Sequence, residues 1–243
     1  MAQGATFPDN GGLSRLAGFL GIGGRCRRCG DTLRVGSDLC ETCSAALTPR
    51  TGGYCPVCGL LFAEESLPIS RCAECRKSPP PWSAVVFHGK YEGMLADLVQ
   101  ELKYGRRLDR AAILSDRMAR AFLESGLAVD VVMPVPLHPR RLRRRGFNQS
   151  AVLARPLART IGADYASKGL RRVRDTPPQV SLPRKDRLRN IAGAFEAGTE
   201  QAANRRVLLV DDIMTTGATA REACRALIKA GARDVALCVV ARA

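Results

Sequence analysis

One stretch limits the folds open to this chain: Val207-Leu208-Leu209-Val210-Asp211-Asp212-Ile213-Met214-Thr215-Thr216-Gly217-Ala218-Thr219. The β-branched and leucine run Val207 to Val210 reads as a strand buried on both faces, the pattern of a parallel sheet. It ends in two adjacent carboxylates, and small and hydroxylated residues follow around Gly217. Ala220, Ala223, Cys224, Leu227 and Gly231 then recur at helical spacing, with Gly231 placed to cap the helix. Strand, loop and helix in that order build an anion site. Amide N–H groups converge at the helix N-terminus, and Gly217 lets the backbone approach the ligand. Thr215, Thr216 and Thr219 add hydroxyl donors. Asp211 and Asp212 lie at the carboxyl end of the strand, where open α/β sheets bind ligands. A plainer reading makes these acids and threonines mere helix caps, but it leaves the joint pattern of the loop unexplained. A Walker-type nucleotide site would need a G-x-x-x-x-G-K-[ST] loop, and the sequence has none.

Far upstream stand eight cysteines in four C-x-x-C pairs: Cys26/Cys29, Cys40/Cys43, Cys55/Cys58 and Cys72/Cys75. Gly30 and Gly59 follow two of them, as a tight knuckle requires. Four thiolates complete the tetrahedral shell of Zn²⁺, and each C-x-x-C turn delivers two of them. Without a secretory signal, disulfides are the poorer reading, and fourfold repetition disfavours a redox dithiol. The expectation is two structural zinc sites in a double ribbon over residues 25–77. The spacers between successive pairs are ten, eleven and thirteen residues, so sequential pairing is simpler but a crossed arrangement stays open. A segment with so few large apolar residues needs metal for folding energy.

Charge supplies the next constraint. The net charge is +15. Residues 134–190 hold fifteen Lys plus Arg against three Asp, so +12 lies within that stretch. An anionic partner follows, either a polyphosphate ligand or nucleic acid. No apolar run approaches the roughly 18–20 residues of a membrane span, and no signal peptide is read, so the expected location is the cytoplasm.

In chain order, residues 1–24 read as a Gly-rich flexible tail and residues 78–83 as a Pro-rich linker. Residues 84–243 read as one α/β domain able to fold alone. Within it a strand is expected at 84–87, and amphipathic helices near 93–103 and 110–123. A second buried strand is expected near 129–135 and a last one at 235–240. Lys103 to Arg107 reads as a solvated loop. After the second strand, Pro134 to Gln149 carries Arg140, Arg141, Arg143, Arg144 and Arg145. In a parallel sheet this loop opens on the same edge as residues 211–219, where guanidinium forks suit a pyrophosphate. A helix is expected from 147 to 161. Cys224 and Cys238 fall on apolar faces and need no function. His138 is read without a chemical role.

The apolar strand, paired acids and Thr-Thr-Gly-x-Thr loop resemble the phosphoribosyl-diphosphate (PRPP) loop of type I phosphoribosyltransferases. Leu137-His138-Pro139-Arg140-Arg141, Arg145-Gly146-Phe147-Asn148-Gln149 and the preceding Cys pairs narrow the resemblance to ComF-type competence proteins. Arg174 to Gln179, Arg187, Asn190 and Ala194-Phe195 also resemble that family. The resemblance covers about residues 25–243. It implies that Asp211 and Asp212 hold ribose hydroxyls and that Thr215, Thr216, Gly217, Ala218 and Thr219 hold the 5′-phosphate. Arg140, Arg141 and Arg145 are the candidates for pyrophosphate, Mg²⁺ accompanies PRPP, and residues 171–195 match a mobile active-site loop. A basic solvated helix is the competing reading of that last segment.

Two functions therefore stand side by side. One is transfer of a 5-phosphoribosyl group from PRPP to an unidentified acceptor, with a link to DNA uptake and its proteins implied by the family. The other is a non-catalytic PRPP-fold scaffold that binds single-stranded DNA through its arginines and ribbons. Against the second, the basic stretch offers only Phe147 and Tyr165 as stacking residues. No general base is identified.

Overall fold

The computed structural model describes residues 24–33, 36–176 and 190–243. Residues 1–23 of the expected tail at 1–24, and the central part of the expected mobile loop, 177–189, lie outside them. Contacts divide the chain into two units, one ending at Thr48 and the other running from Pro49 to Ala243. The second group of cysteines therefore packs with the α/β domain.

In the first unit an isolated bridge pairs Arg25 with Thr32 around the first C-x-x-C turn, and helix α1, Glu41–Ala45, starts immediately after Cys40. The second unit begins with another such turn, bridged by Tyr54 and Leu61, and helix α2, Ala73–Lys77, follows Cys72. Cys40 and Cys72 are the N-cap residues of these helices, so in each group one pair of thiols is presented by a bridged turn and the other by the first turn of a helix.

The α/β part continues with β1 (Val85–Lys90), α3 (Gly93–Lys103), α4 (Arg110–Glu124) and β2 (Val131–Pro134). Then come α5 (Pro139–Arg145), α6 (Gln149–Ile161), β3 (Asp164–Tyr165) and β4 (Leu170–Arg172). The chain closes with β5 (Phe195–Ala197), α7 (Thr199–Ala202), β6 (Arg206–Met214), α8 (Ala218–Lys229) and β7 (Asp234–Arg242). Five strands form one parallel sheet in the order β1-β7-β6-β2-β3. The expected parallel α/β class is the one observed. Strand β6 is central, between β2 and β7, and packing by helices α6 and α8 leaves Val207 to Val210 buried, as their composition demands.

Two layers cover the sheet. On one face Val207, Leu209, Val235, Leu237 and Val239 share a core with Ala223, Cys224 and Leu227 of α8. Helix α4 packs on β1, β7 and α6, and α6 packs on β2 and β6. The antiparallel pair β4–β5 lies against α8, and Leu170 and Phe195 join that core.

Two local expectations change. The strand through the acidic pair does not stop at Asp212 but runs to Met214, because Asp211 and Ile213 keep their register with Val239 and Ala241 of β7. The arginines after β2 do not form an open loop: Pro139 to Arg145 is a short helix. Pro139 occupies its first turn, where a missing N–H costs nothing. The His138 side chain accepts a hydrogen bond from the Arg140 amide, and Gly146 ends the helix in the left-handed region. His138 thus has a capping role, and it also lies 3.4 Å from Asp175.

Candidate functional site

Successive side chains of a strand project to opposite faces, and this separates the two acids. Asp211 lines a cleft with Ile213, Thr215, Thr216, Gly217 and Thr219. Asp212 is 4% exposed, turned away from that cleft. The Lys103 ammonium, at the end of α3, lies 2.8 Å from Asp212 Oδ2. The loop after Lys103 is therefore tied to the acidic pair by its first residue. Sequence reading missed this lysine, because 109 residues separate it from its partner and no periodicity links the two.

Asp211 is held by a different element. Its Oδ1 accepts a hydrogen bond from Ser150 Oγ at 2.8 Å and one from the Asp212 amide at 2.9 Å. Ser150 is 1% exposed and sits in the first turn of α6. Asn148 fixes that turn: its Oδ1 accepts from the Ser150 amide at 3.1 Å, and its Nδ2 donates to the Val135 carbonyl at 3.0 Å. The Val135 amide in turn donates to Val210. Arg145-Gly146-Phe147-Asn148-Gln149 is thus joined to the acidic pair by hydrogen bonds. Burial first, and the neighbouring Asp212 charge second, push the Asp211 carboxyl up to about 7. Its acceptor capacity is therefore set by pH near neutrality.

Neither acid caps α8. Gly217 is the N-cap residue, at φ +72 in the left-handed region, and Thr216 Oγ1 accepts from the Ala218 amide at 3.4 Å. The helix-cap explanation of the acids is removed by this geometry. A side chain at Gly217 would also meet Met214 and Trp82, with Cβ contacts of 2.7 and 3.2 Å. Two requirements, positive φ and close packing, select glycine here.

The arginines divide by environment. Arg140 is exposed and 3.4 Å from Asp175. Arg141 donates to the Thr176 carbonyl at 2.6 Å, and Arg145 donates to Gln149 Oε1 at 2.7 Å. Arg145 also lies over the Tyr104 ring, 5.6 Å from its centroid, and Tyr104 is 72% exposed. Arg172 of β4 is buried, and its guanidinium donates to Thr176 Oγ1 at 2.5 Å. Burial first, then the like charge of Arg141, bring its pKa down to about 10. The start of the basic segment after β4 is therefore anchored to α5 through Thr176 and Asp175.

The cysteine sulfurs form two sequential groups, Cys26/Cys29/Cys40/Cys43 and Cys55/Cys58/Cys72/Cys75, each within 4.8 Å. Tetrahedral zinc with bonds of roughly 2.3 Å puts sulfurs about 3.8 Å apart. Cys29 and Cys40 are 3.6 Å apart, and Cys58 and Cys72 are 3.7 Å apart. Both groups fit such an ion, which could be zinc. Cys224 and Cys238 are 0% exposed, in apolar surroundings. Among the described residues no helix is long and apolar enough to cross a membrane.

Comparison with known proteins agrees with this architecture. Residues 144–243 match the family described as phosphoribosyl transferase domain. The DNA utilization protein YhgH of Salmonella typhimurium is 36% identical over 223 residues, which is 89% of this chain and 96% of that protein. Competence protein F of Haemophilus influenzae is 32% identical over 228 residues, 90% of this chain and 97% of that protein. A solved structure of glutamine phosphoribosylpyrophosphate amidotransferase from B. subtilis is similar over 57% of this chain and 30% of its own, at 23% identity and a TM-score of 0.41. With near full-length relatives at this identity, a parallel phosphoribosyltransferase-like sheet and two Cys₄ groups ahead of it, the chain belongs to the ComF-type competence protein family.

Proposed function

We propose that the chain binds PRPP in the cleft at the carboxyl end of β6 and transfers its phosphoribosyl group to an acceptor. The observation that carries this reading is the meeting of Asp211 with the Thr215 to Thr219 loop at the N-terminus of α8. Amides and hydroxyls of Thr215, Thr216, Gly217, Ala218 and Thr219 would hold the 5′-phosphate. Asp211 would accept from a ribose hydroxyl, oriented by Ser150 behind it. Asp212, turned away from the cleft and paired with Lys103, would support the strand end behind Asp211 rather than touch the ribose as the resemblance implied. In transfer, the bond from the anomeric carbon to diphosphate breaks as an acceptor lone pair forms a new bond to that carbon. Mg²⁺ bound with PRPP supplies charge neutralisation. Arg140, Arg141 and Arg145, on α5 at the same edge, are the cations for the departing diphosphate. Zinc in both Cys₄ groups would hold the ribbons together. A part in competence or DNA utilization is supported by the names of the relatives, and a link to DNA uptake in the cytoplasm is proposed with it.

The test is incubation of zinc-loaded protein with PRPP, Mg²⁺ and a panel of nucleobases and amines, with diphosphate release measured. Calorimetric titration with PRPP separates binding from turnover. No binding at millimolar PRPP would end the reading.

A second reading, contact with single-stranded DNA, has one observation in its favour. Helix α5 buries none of its residues, and exposed Tyr104 comes against Arg145 from another element. The resulting surface combines cations with one stacking ring. It is compatible with PRPP binding in the adjacent cleft.

A further inference from the structure

We infer that the second cysteine group, Cys55/Cys58/Cys72/Cys75, is a buttress for the phosphate loop, so that metal at this group controls the loop's ability to hold an anion. Two separate side chains make the connection, and both lie within the unit that starts at Pro49.

The first is Arg242, 8% exposed at the end of β7. Its Nε donates to the Cys58 carbonyl at 3.3 Å. Its Nη1 donates to the Met214 carbonyl at 2.8 Å and also to the Thr215 carbonyl. One rigid guanidinium fork therefore spans the metal knuckle and the first residues of the phosphate loop. Gly59, the residue after the knuckle, has φ +68, and a Cβ there would come within 3.2 Å of the arginine side chain.

The second is Trp82, 5% exposed. Its indole N–H donates to the Val57 carbonyl, inside the same knuckle, at 2.6 Å. Its ring lies against Gly217, whose missing side chain leaves the space, and the Arg221 guanidinium covers it at 5.6 Å from the centroid. The two glycines thus stand at opposite ends of the connection, each where a bulky side chain from elsewhere must pass.

Around the knuckle, Tyr54 and Leu61 pack on the main core and the Pro56 carbonyl accepts from the Val85 amide. The knuckle's own buried cluster comprises Cys55, Val57 and Cys75, with Cys58, Cys72 and Phe62 against it. The main-core contacts hold the bridged residues that flank the cysteine turn, while the turn itself has only that small cluster, so the bound ion helps to set where the Val57 and Cys58 carbonyls point. Those carbonyls set Trp82 and Arg242, which set Gly217, Met214 and Thr215. Converging amides bind an anion only when they are held in place beforehand. The inference rests on the phosphate reading of the loop, but its structural part can be tested without it.

The experiment uses the full chain loaded with zinc. Cys72→Ser weakens the second site and leaves the knuckle sequence intact. Cys40→Ser weakens the first site and is the control. Amide hydrogen exchange of a peptide covering 213–221 reads the loop, and titration with PRPP and Mg²⁺ reads the anion site. Cys72→Ser is expected to speed exchange in that peptide about tenfold or more and to weaken PRPP binding by a similar factor. Cys40→Ser should change neither. Loss of zinc from the second site with both readouts unchanged overturns the inference. If the wild type binds no PRPP while loop exchange still follows the zinc, the buttress stands and the phosphate reading falls. Should Cys72→Ser lose its cooperative melt, Arg242→Gln decides. With both zinc ions retained, it is expected to give the same faster exchange, and unchanged exchange overturns the inference. Trp82 is the single tryptophan of the chain, so a red shift of its emission on zinc removal is a further expected result, and an unmoved spectrum counts against.

Discussion

Asp211→Asn is the substitution that separates binding from architecture most sharply. The native carboxyl is held at about 7, well above its ordinary value near 3.9. A folded pKa above the unfolded one means that the folded state keeps its proton longer. The stabilising contribution is then complete below about pH 4 and is lost as pH rises through about 7. At pH 8 the ionised Asp211 opposes folding by an amount on the order of 1–4 kcal/mol, at roughly 1.4 kcal/mol per decade. Asparagine removes that charge yet still offers an oxygen to Ser150 Oγ, which lies 2.8 Å away in the native protein. The variant should therefore melt several degrees higher than the wild type at pH 8, about 3–10 °C, and gain nothing at pH 4. Ligand affinity should move the other way. A hydroxyl bound to a charged acceptor is worth roughly 1.5–3 kcal/mol, so PRPP–Mg²⁺ binding should weaken about tenfold or more at pH 8. Wild-type affinity should rise between pH 6 and 8 by more than that of the variant, since titration of PRPP itself is common to both. Thermal melts at two pH values and calorimetry on the same samples provide the data. Equal affinity in the two proteins, or a melting shift independent of pH, would refute the assignment.

Three further outcomes are expected. Lys103→Met should strand a carboxylate that is 6% exposed and cost about 3 kcal/mol or more; denaturant melts should recover much of the loss in Lys103→Met/Asp212→Asn, and simple additivity would deny the pair. Replacing Arg143, Arg144 and Arg145 together by Ala should lower single-stranded DNA affinity and flatten its dependence on salt; an unchanged slope would move the DNA surface elsewhere. A fragment of residues 84–243 lacks Tyr54, Leu61 and Trp82, which belong to or pack against the main core, so it should melt lower than a fragment of residues 49–243, and equal melting temperatures would show that these contacts add nothing.

Much of the molecule was legible locally. Helices at 93–103 and 110–124 follow from their apolar periodicity, because burial of one face is a repeating, short-range constraint. The strand through Val207 to Val210 and the loop around Gly217 follow from side-chain type and backbone freedom at single positions. The four C-x-x-C pairs announce two metal groups, since each turn is complete within four residues. What composition could not supply was which residues meet across the sheet. Periodicity shows Asp211 and Asp212 as neighbours, yet the pleat sends one to the cleft and the other to Lys103. Ser150 lies 61 residues from Asp211, and Arg242 lies 184 from Cys58. Hydrogen bonds over such distances leave no trace in spacing, because the intervening chain sets them only when the whole sheet is assembled. Residue types between Val207 and Thr219 set the chemistry available at the carboxyl edge of β6. Tertiary structure alone decided which carboxylate is presented there, and which metal group stands behind the loop, since both depend on strand order and the path of side chains between layers.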